Sequence, residues 1–508
     1  MKGKVLMVQG TASHVGKSVL VTALCRIFRQ DGFEVAPFKA QNMSLNSYVT
    51  PDGGEIGRAQ AVQAEAAGIE PAVEMNPILL KPEADSRSQV VLLGRPLRST
   101  TARDYYQLKP LLWSALTESL DHLRSRYEVV VIEGAGSPAE VNLQEAEIVN
   151  MRVARYSGAP VLLMGDIDRG GVFASLLGTL WLLEPEERAL IKALVINKFR
   201  GDFSLLEPGL RFLERKAGIP VAGVLPYFPD IHIAQEDSVT LEQPPQRRGR
   251  SEIDIAVIKL PHISNFDDFD PLERTEGVSL RYVRSPEELG SPDLLLLPGS
   301  KTTIADLDWL VQQGLAERIV ALHHYGAFII GICGGYQMLG RRILDPEQVE
   351  SPAPERQGLG LLPVTTVFSR FKETHRVKGR VRRGWGLLER AHGVSFQGYE
   401  IHMGRTENEP ATAPFYIEER SGQPCDLVEG CLDAQGQVLG TYIHGLFHNP
   451  ELSQSILKYI AACKGVPWDL PVSDLLRERE YDRLADLVRC SLNMELIYNI
   501  TGLKAGRK

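Results

Sequence analysis

The chain is 508 residues long, with a formal net charge of −8, 24% charged residues and 44% apolar ones. That length exceeds what one hydrophobic core serves and predicts two or three domains, and the composition excludes a disordered chain. The acidic balance excludes a general nucleic-acid binder, which needs a cationic surplus to neutralise phosphates.

Apolar runs such as 129–132 and 294–297 are strand-sized, far short of a bilayer span, so no membrane association is expected. The opening residues lack the long apolar core and small-residue cleavage site of a signal peptide. The cysteines (Cys25, Cys333, Cys425, Cys431, Cys463 and Cys490) show neither C-x-x-C nor zinc spacing, so a reducing cytoplasm is the expected compartment.

Residues 5–9 form an apolar run closed by Gly10, the pattern of a buried parallel strand. From Lys17 to Gln30, Leu20, Ala23, Leu24, Ile27 and Phe28 recur at helical spacing, and Asp31-Gly32 ends the helix. Further strands are expected over 34–38, 129–132, 161–164 and 193–196, with helical stretches between. Such alternation predicts a doubly wound α/β sheet. Residues 243–250 turn polar, basic and proline-containing, the composition of a linker. A second α/β pattern then begins, with strands over 253–260, 294–297 and 327–332. Helices are expected over 451–462 and through most of 475–499. The expected organisation is one α/β domain over 1–240, a linker over 241–250, a second over 251–450 and a helical tail over 451–508.

Gly10-Thr11-Ala12-Ser13-His14-Val15-Gly16-Lys17-Ser18 joins a strand to a helix. Its glycines are one residue further apart than in the simplest phosphate-binding loop, so it reads as an extended variant. Backbone N–H groups at the helix start would face phosphate oxygens, with Lys17 adding a compact positive charge. Ser18 is placed to ligate Mg²⁺, and the loop calls for ATP. Glu133 closes the strand over 129–132 and would face the ligand crevice, where it can hold the metal. Asp166 and Asp168 end the next strand and are weaker candidates. Asn197 ends the strand over 193–196, where a base-recognising side chain can sit.

Gly331-Ile332-Cys333-Gly334-Gly335 has the spacing of a nucleophile elbow with cysteine in place of serine. Small flanking residues allow a sharp turn, and the helix start behind it favours a thiolate. Attack on the side-chain amide of glutamine would expel ammonia and leave a thioester for water to cleave. The tetrahedral oxyanion needs backbone donors, for which Gly334 and Gly299 are the candidates. His444, in Gly440-Thr441-Tyr442-Ile443-His444-Gly445, is the matching acid–base.

The phosphate loop and the later Val131-Ile132-Glu133-Gly134-Ala135-Gly136 resemble the dethiobiotin synthetase-like ATPases. Phe38-Lys39-Ala40-Gln41-Asn42-Met43-Ser44-Leu45-Asn46-Ser47 is narrower and resembles the hallmark segment of the cobyric acid synthase family. Gly57-Arg58-Ala59-Gln60, Met75-Asn76-Pro77 and Ser137-Pro138-Ala139-Glu140-Val141-Asn142 continue the likeness along the chain. The Cys333 elbow and distant His444 resemble the class I glutamine amidotransferases. The resemblance implies an N-terminal P-loop ATPase-like domain and a C-terminal glutamine amidotransferase-like domain, each a doubly wound α/β unit. It further implies ATP- and glutamine-dependent amidation of the b, d, e and g carboxylates of adenosylcobyrinic acid a,c-diamide, a corrinoid. Gln41, Asn42, Ser44 and Asn46 would contact that substrate, supplying neutral donors and acceptors.

The chain departs from these patterns at two places. Class I enzymes carry a Glu two residues after the histidine, where this chain has Leu446, so another group must orient His444. An Asp run frequent in the family is replaced by Gln144-Glu145-Ala146-Glu147. Asp267, Asp268, Glu400 and His402, in two further family-like segments, read as structural or as lining the glutamine pocket. The rival readings are the sister a,c-diamide synthase, a partitioning or switch ATPase, and a binding protein with a decayed glutaminase. A homo-oligomer is compatible with the sequence.

Overall fold

The computed structural model describes residues 2–84, 87–142, 147–231, 233, 252–407, 409–468 and 477–504. The expected linker over 241–250 and Glu145 lie outside the described residues.

The first lobe is built on a parallel sheet. Its strand order is Val221–Pro226, Ile191–Phe199, Val161–Asp166, Lys4–Gly10, Val129–Glu133 and Val35–Phe38. The strands read as unbroken apolar runs because both faces are covered. Alternate residues feed two cores: Val5, Met7, Val130 and Ile132 enter one, and Leu6, Val8, Val129 and Val131 the other. The helix Lys17–Gln30 covers the second of these faces. A smaller sheet, Gln41–Met43, Ile78–Ala84, Arg87–Leu92 and Arg95–Thr101, stands beside the main one. Short polar-rich strands hid it from pattern reading.

The second lobe repeats the plan. Val278–Val283, Ile253–Ile258, Leu294–Leu297, Phe328–Ile332 and Val438–Thr441 run parallel, and Cys431–Leu432 closes the edge antiparallel. A largely antiparallel sheet, dominated by Thr365–Val381 paired with Ser395–Glu407, packs into the same core. The molecule is therefore α/β, with two doubly wound domains and added antiparallel sheet.

The C-terminal helices divide between the lobes. Pro450–Lys464 buries Leu452, Ile456 and Ile460 in the second core. Arg477–Ser491 and Met494–Thr501 instead join the first, inserting Leu484, Val488, Ile497 and Tyr498 against Leu24 and Phe28. The buried Arg26 guanidinium pairs with Glu478 and Asp482, pinning that return.

Candidate active site

Gly10 ends the central strand of the first sheet, and Gly16 caps the following helix at φ 104°. A Cβ on Gly16 would stand 2.1 Å from Asn197 Nδ2, so close approach as well as backbone twist demands glycine there. Asn197 Nδ2 donates to the Val15 carbonyl at 2.7 Å, which fixes the loop and leaves Oδ1 without a hydrogen-bond partner. Thr11 is tied by its N–H to the Met164 carbonyl of the neighbouring strand. Lys17 Nζ rests on the carbonyls of Ala12 (2.9 Å) and Gly136 (3.1 Å), which a phosphate group would replace.

Glu133 sits one strand over and is 1% exposed. Oε1 accepts from Ser18 Oγ and from Lys39 Nζ, each at 2.8 Å, and Oε2 from Gln63 Nε2 at 2.6 Å. Burial would raise its carboxyl, but the Lys39 ammonium and these hydrogen bonds hold it below the usual carboxylate range. Ser18 and Glu133 thus bring two hard oxygen donors together beside Lys17, a donor set that fits Mg²⁺. Asp166 and Asp168 are instead engaged by Lys198 and Arg200. Glu147 caps the helix Met151–Ser157, its carboxylate accepting from the Val149, Asn150 and Arg152 N–H groups.

Asn42, Ser44 and Asn46 are buried, and the structure shows how they are occupied. Asn42 donates to Gln60, Ser44 Oγ bonds the backbone of Asn46, and Asn46 Oδ1 accepts from Phe266 N–H of the other lobe. Gln41 remains half-buried, accepting from the Tyr105 hydroxyl. Asn46 is therefore joinery at the seam between lobes, while Asn42 and Ser44 are tied within the first lobe.

Cys333 joins the strand Phe328–Ile332 to the helix Gly334–Leu339 at φ 53° and ψ −108°, a strained turn for a residue with a side chain. The glycines around it are required sterically. A Cβ on Gly335 would lie 2.1 Å from the Leu297 carbonyl, and one on Gly331 would lie 2.7 Å from Gly335. Cys333 is 6% exposed, and its thiol donates to the Ile401 carbonyl at 3.3 Å. Gly299 lies against His444, where its Cβ would be 3.1 Å from Cε1, and Gly334 lies against Ser300 N–H. Cys333, Gly334, Gly299 and His444 thus converge.

The group that orients His444 is Asp268. Its Oδ2 meets Nδ1 at 2.7 Å, and its Oδ1 accepts from Gly445 N–H at 2.7 Å. The face of the imidazole stacks on Tyr399, with centroids 5.2 Å apart and planes at 16°. Burial opposes a charge on His444, yet Asp268, with Cys333 adding, pushes the imidazole up to about 10. Nε2 has no hydrogen-bond partner at ordinary range, leaving it available beside Cys333. Leu446 is fully buried and takes no part. The segment 262–270 carried this carboxylate in plain view, in the short 3₁₀ turn Phe266–Phe269 that follows the strand Ile253–Ile258 of the second sheet. Its two adjacent aspartates did not reveal which one turns toward the histidine.

A narrow cleft beside Cys333 is lined by both lobes: Lys81 and Gln89 from the first, Lys301, Gln337, Glu350 and Lys372 from the second. Buried Glu55 binds Lys81 and Lys372 together beneath it. Burial, with Lys81 and Lys301 nearby, pushes Lys372 down to about 8 despite Glu55, and burial pushes Glu350 up to about 7. His402 lines the same cleft, stacked on Tyr442, and Glu400 pairs with Arg420.

Fold and site together define a nucleotide-binding lobe fused to a glutamine amidotransferase lobe. The chain matches the CobQ/CobB/MinD/ParA nucleotide binding domain over residues 6–241 and the CobB/CobQ-like glutamine amidotransferase domain over 254–452. It belongs to the cobyric acid synthase family. It is 54% identical to the cobyric acid synthase of Dehalococcoides mccartyi (strain CBDB1), with 98% of each chain covered. It is 53% identical to that of Sorangium cellulosum (strain So ce56), covering 99% of each. For the Moorella thermoacetica protein the identity is 52%, over 99% of this chain and 98% of the other. Among solved structures, PurLQS from Thermotoga maritima is similar over 41% of this chain and 99% of its own at 19% identity, but its TM-score of 0.31 is too low to bear on the fold. Among the described residues no helix is long and apolar enough to cross a membrane.

Proposed function

We propose that the chain makes amides from the b, d, e and g carboxylates of adenosylcobyrinic acid a,c-diamide, using ATP·Mg²⁺ and glutamine. The observation that carries the reading is the coexistence of two sites: Lys17, Ser18 and Glu133 in one lobe, and Cys333, His444 and Asp268 in the other.

In the second lobe, His444 pushed to about 10 carries both ring protons at neutral pH. Asp268 holds that imidazolium with its Nε2 edge beside the Cys333 sulfur. The Cys333 sulfur attacks the glutamine amide carbon, and the developing oxyanion meets backbone N–H groups at Gly299 and Gly334. His444 gives its Nε2 proton to the departing ammonia, and water, losing a proton to the now neutral imidazole, cleaves the thioester to glutamate. Lys301 and Lys372 suit the α-carboxylate of glutamine, and Glu350 its α-ammonium.

In the first lobe, Thr11, Val15, Gly16 and Lys17 would cradle the triphosphate, with Asn197 Oδ1 available to a base. Ser18 and Glu133 would hold Mg²⁺, which supplies charge neutralisation for phosphoryl transfer. The corrinoid carboxylate takes the γ-phosphoryl group, and ammonia displaces phosphate from the acyl phosphate. Of segment 41–47, half-buried Gln41 would meet the corrinoid while Asn42, Ser44 and Asn46 support it from beneath, and cobalt enters only as part of the substrate. Because acyl phosphates hydrolyse, ammonia must pass inside the protein. The mixed lining of the Cys333 cleft supports such a passage.

Incubation with the a,c-diamide, ATP, Mg²⁺ and glutamine, followed by mass spectrometry, tests the reading. Amidation of the a,c-diamide through to the hexa-amidated acid supports it. An unchanged a,c-diamide, with cobyrinic acid gaining amides instead, would assign the sister activity.

A further inference from the structure

Segment 265–268 serves the lobe seam and the histidine within one turn. Asn265 Oδ1 accepts from Ser47 N–H at 3.0 Å and Phe266 N–H donates to Asn46 Oδ1 at 3.3 Å, both across the lobes. Asp267 Oδ2 stands 3.0 Å from Arg58 Nε of the first lobe, with each side chain 3% exposed. Asp268, next in the chain, holds His444 and Gly445.

A second line of contact starts from the same arginine. The Arg58 guanidinium lies 5.1 Å from the Tyr48 ring, Tyr48 lies 5.5 Å from Tyr399, and Tyr399 stacks on His444. The imidazole is thus fixed at its edge by Asp268 and at its face by Tyr399. Arg58 touches the neighbour of each.

We propose that Arg58 is a positioning residue for His444: a side chain of the first lobe that sets the glutaminase without touching glutamine. A guanidinium keeps its proton in any protein environment, so once buried it requires Asp267 as its counter-ion. The Nε–Oδ2 approach is not aligned as a hydrogen bond, so charge and packing hold the pair. Because Asp267 and Asp268 are consecutive in the 3₁₀ turn Phe266–Phe269, anchoring one orients the other. An ordinary interface ion pair would account for the burial alone. It would not account for both restraints on His444 ending at one guanidinium. Arg58 also begins the helix Arg58–Ala67, whose Gln63 holds Glu133, so one rigid element reaches both sites.

The proposal rests on the reading of Cys333, His444 and Asp268 as a glutaminase. It is tested with Arg58→Gln, Arg58→Lys, the double variant Arg58→Gln/Asp267→Asn, and Cys333→Ala as reference. Glutamate release, ammonium-driven amidation and thermal melting are measured for each. The double variant strands no buried charge, so it keeps its fold if Arg58→Gln does not. A misplaced acid–base group predicts a fall of about 100-fold in kcat for glutamate release in the double variant. KM for glutamine should stay within about threefold and ammonium-driven turnover within about twofold, since neither depends on His444. Arg58→Lys keeps the charge but not the planar contact with Tyr48, and should recover part of the loss. Unchanged glutamate release in a folded double variant, or an equal fall in both activities, overturns the proposal. Were Cys333→Ala to keep glutamine-driven turnover, the glutaminase reading itself would fail. With Cys333→Ala inactive and the Arg58 variants normal, only the positioning role falls.

Discussion

Replacing Asp268 with Asn separates orientation from bulk, because the two side chains are nearly isosteric. Asn Oδ1 can still accept from Gly445 N–H, as Asp268 Oδ1 does at 2.7 Å. The other position changes character: an amide N–H would face His444 Nδ1 where a carboxylate now lies at 2.7 Å. That forces Nδ1 to accept and moves the remaining proton to Nε2, the tautomer that cannot receive a proton from the thiol. The rise of His444 from 6.5 to about 10 corresponds to roughly 5 kcal/mol in favour of the imidazolium, and most of it comes from Asp268. Without it burial dominates, and His444 loses the positive charge that Asp268 sustains beside the sulfur. The same exchange in a serine triad costs about 10⁴ in kcat, and Asp268→Asn should lower glutamate release by about 10³ to 10⁴. The assay is glutamate release across pH 6–11, with ammonium-driven amidation as control. In the parent enzyme the glutaminase limb should fall as pH rises through about 10, where His444 loses its proton. That limb should be absent from the variant. Retention of more than about a tenth of the glutamine-driven rate would refute the assignment of Asp268.

Glu133→Gln should lower both glutamine- and ammonium-driven amidation by at least about 100-fold while glutamate release continues, because only the first lobe loses the carboxylate proposed to hold Mg²⁺; paired assays show whether the losses separate. Glu429 is buried, accepts from Thr441 Oγ1 and Tyr442 N–H at 2.6 Å each, and is pushed up to about 8 by burial and Glu400. Its folded pKa exceeds its unfolded one, so its contribution to stability is full below about 4.5 and is lost as pH rises through about 8. Glu429→Gln should therefore cost little at neutral pH and flatten the decline in urea-unfolding stability between about pH 4.5 and about 8. Glu55 is fully buried, and although burial opposes its charge, Lys372 and Lys81 hold it well below the usual carboxylate range. Glu55→Gln strands two buried ammonium groups and should destabilise the fold by about 3–5 kcal/mol, read from urea midpoints.

The two parallel sheets were legible in the sequence because strands buried on both faces leave apolar runs bounded by glycine. The helix Lys17–Gln30 and the strand Leu294–Leu297 have the predicted limits. The antiparallel sheet around Thr365–Val381 was not legible: its strands mix charged and apolar residues in response to partners distant in the chain. The return of Arg477–Ser491 to the first core was equally hidden, since an amphipathic helix does not name the surface it covers. At the site, Cys333 and the phosphate loop announce themselves through glycine spacing, which is local geometry. Asp268 does not, because its meaning arises only when residues 176 positions apart meet. Asn46 shows the converse. Its polar neighbourhood reads as a substrate contact, and the structure turns its side chain toward Phe266 of the other lobe.

The most direct test of the account follows nitrogen between the lobes. The enzyme is supplied with [amide-¹⁵N]glutamine, ATP, Mg²⁺ and the a,c-diamide in a large excess of unlabelled ammonium at a pH where little free ammonia exists. Mass spectrometry of the product reads the isotope. If ammonia freed at Cys333 passes inside the protein to the acyl phosphate, the new amides carry ¹⁵N almost throughout. Label diluted to the proportion of the surrounding ammonium would contradict internal transfer.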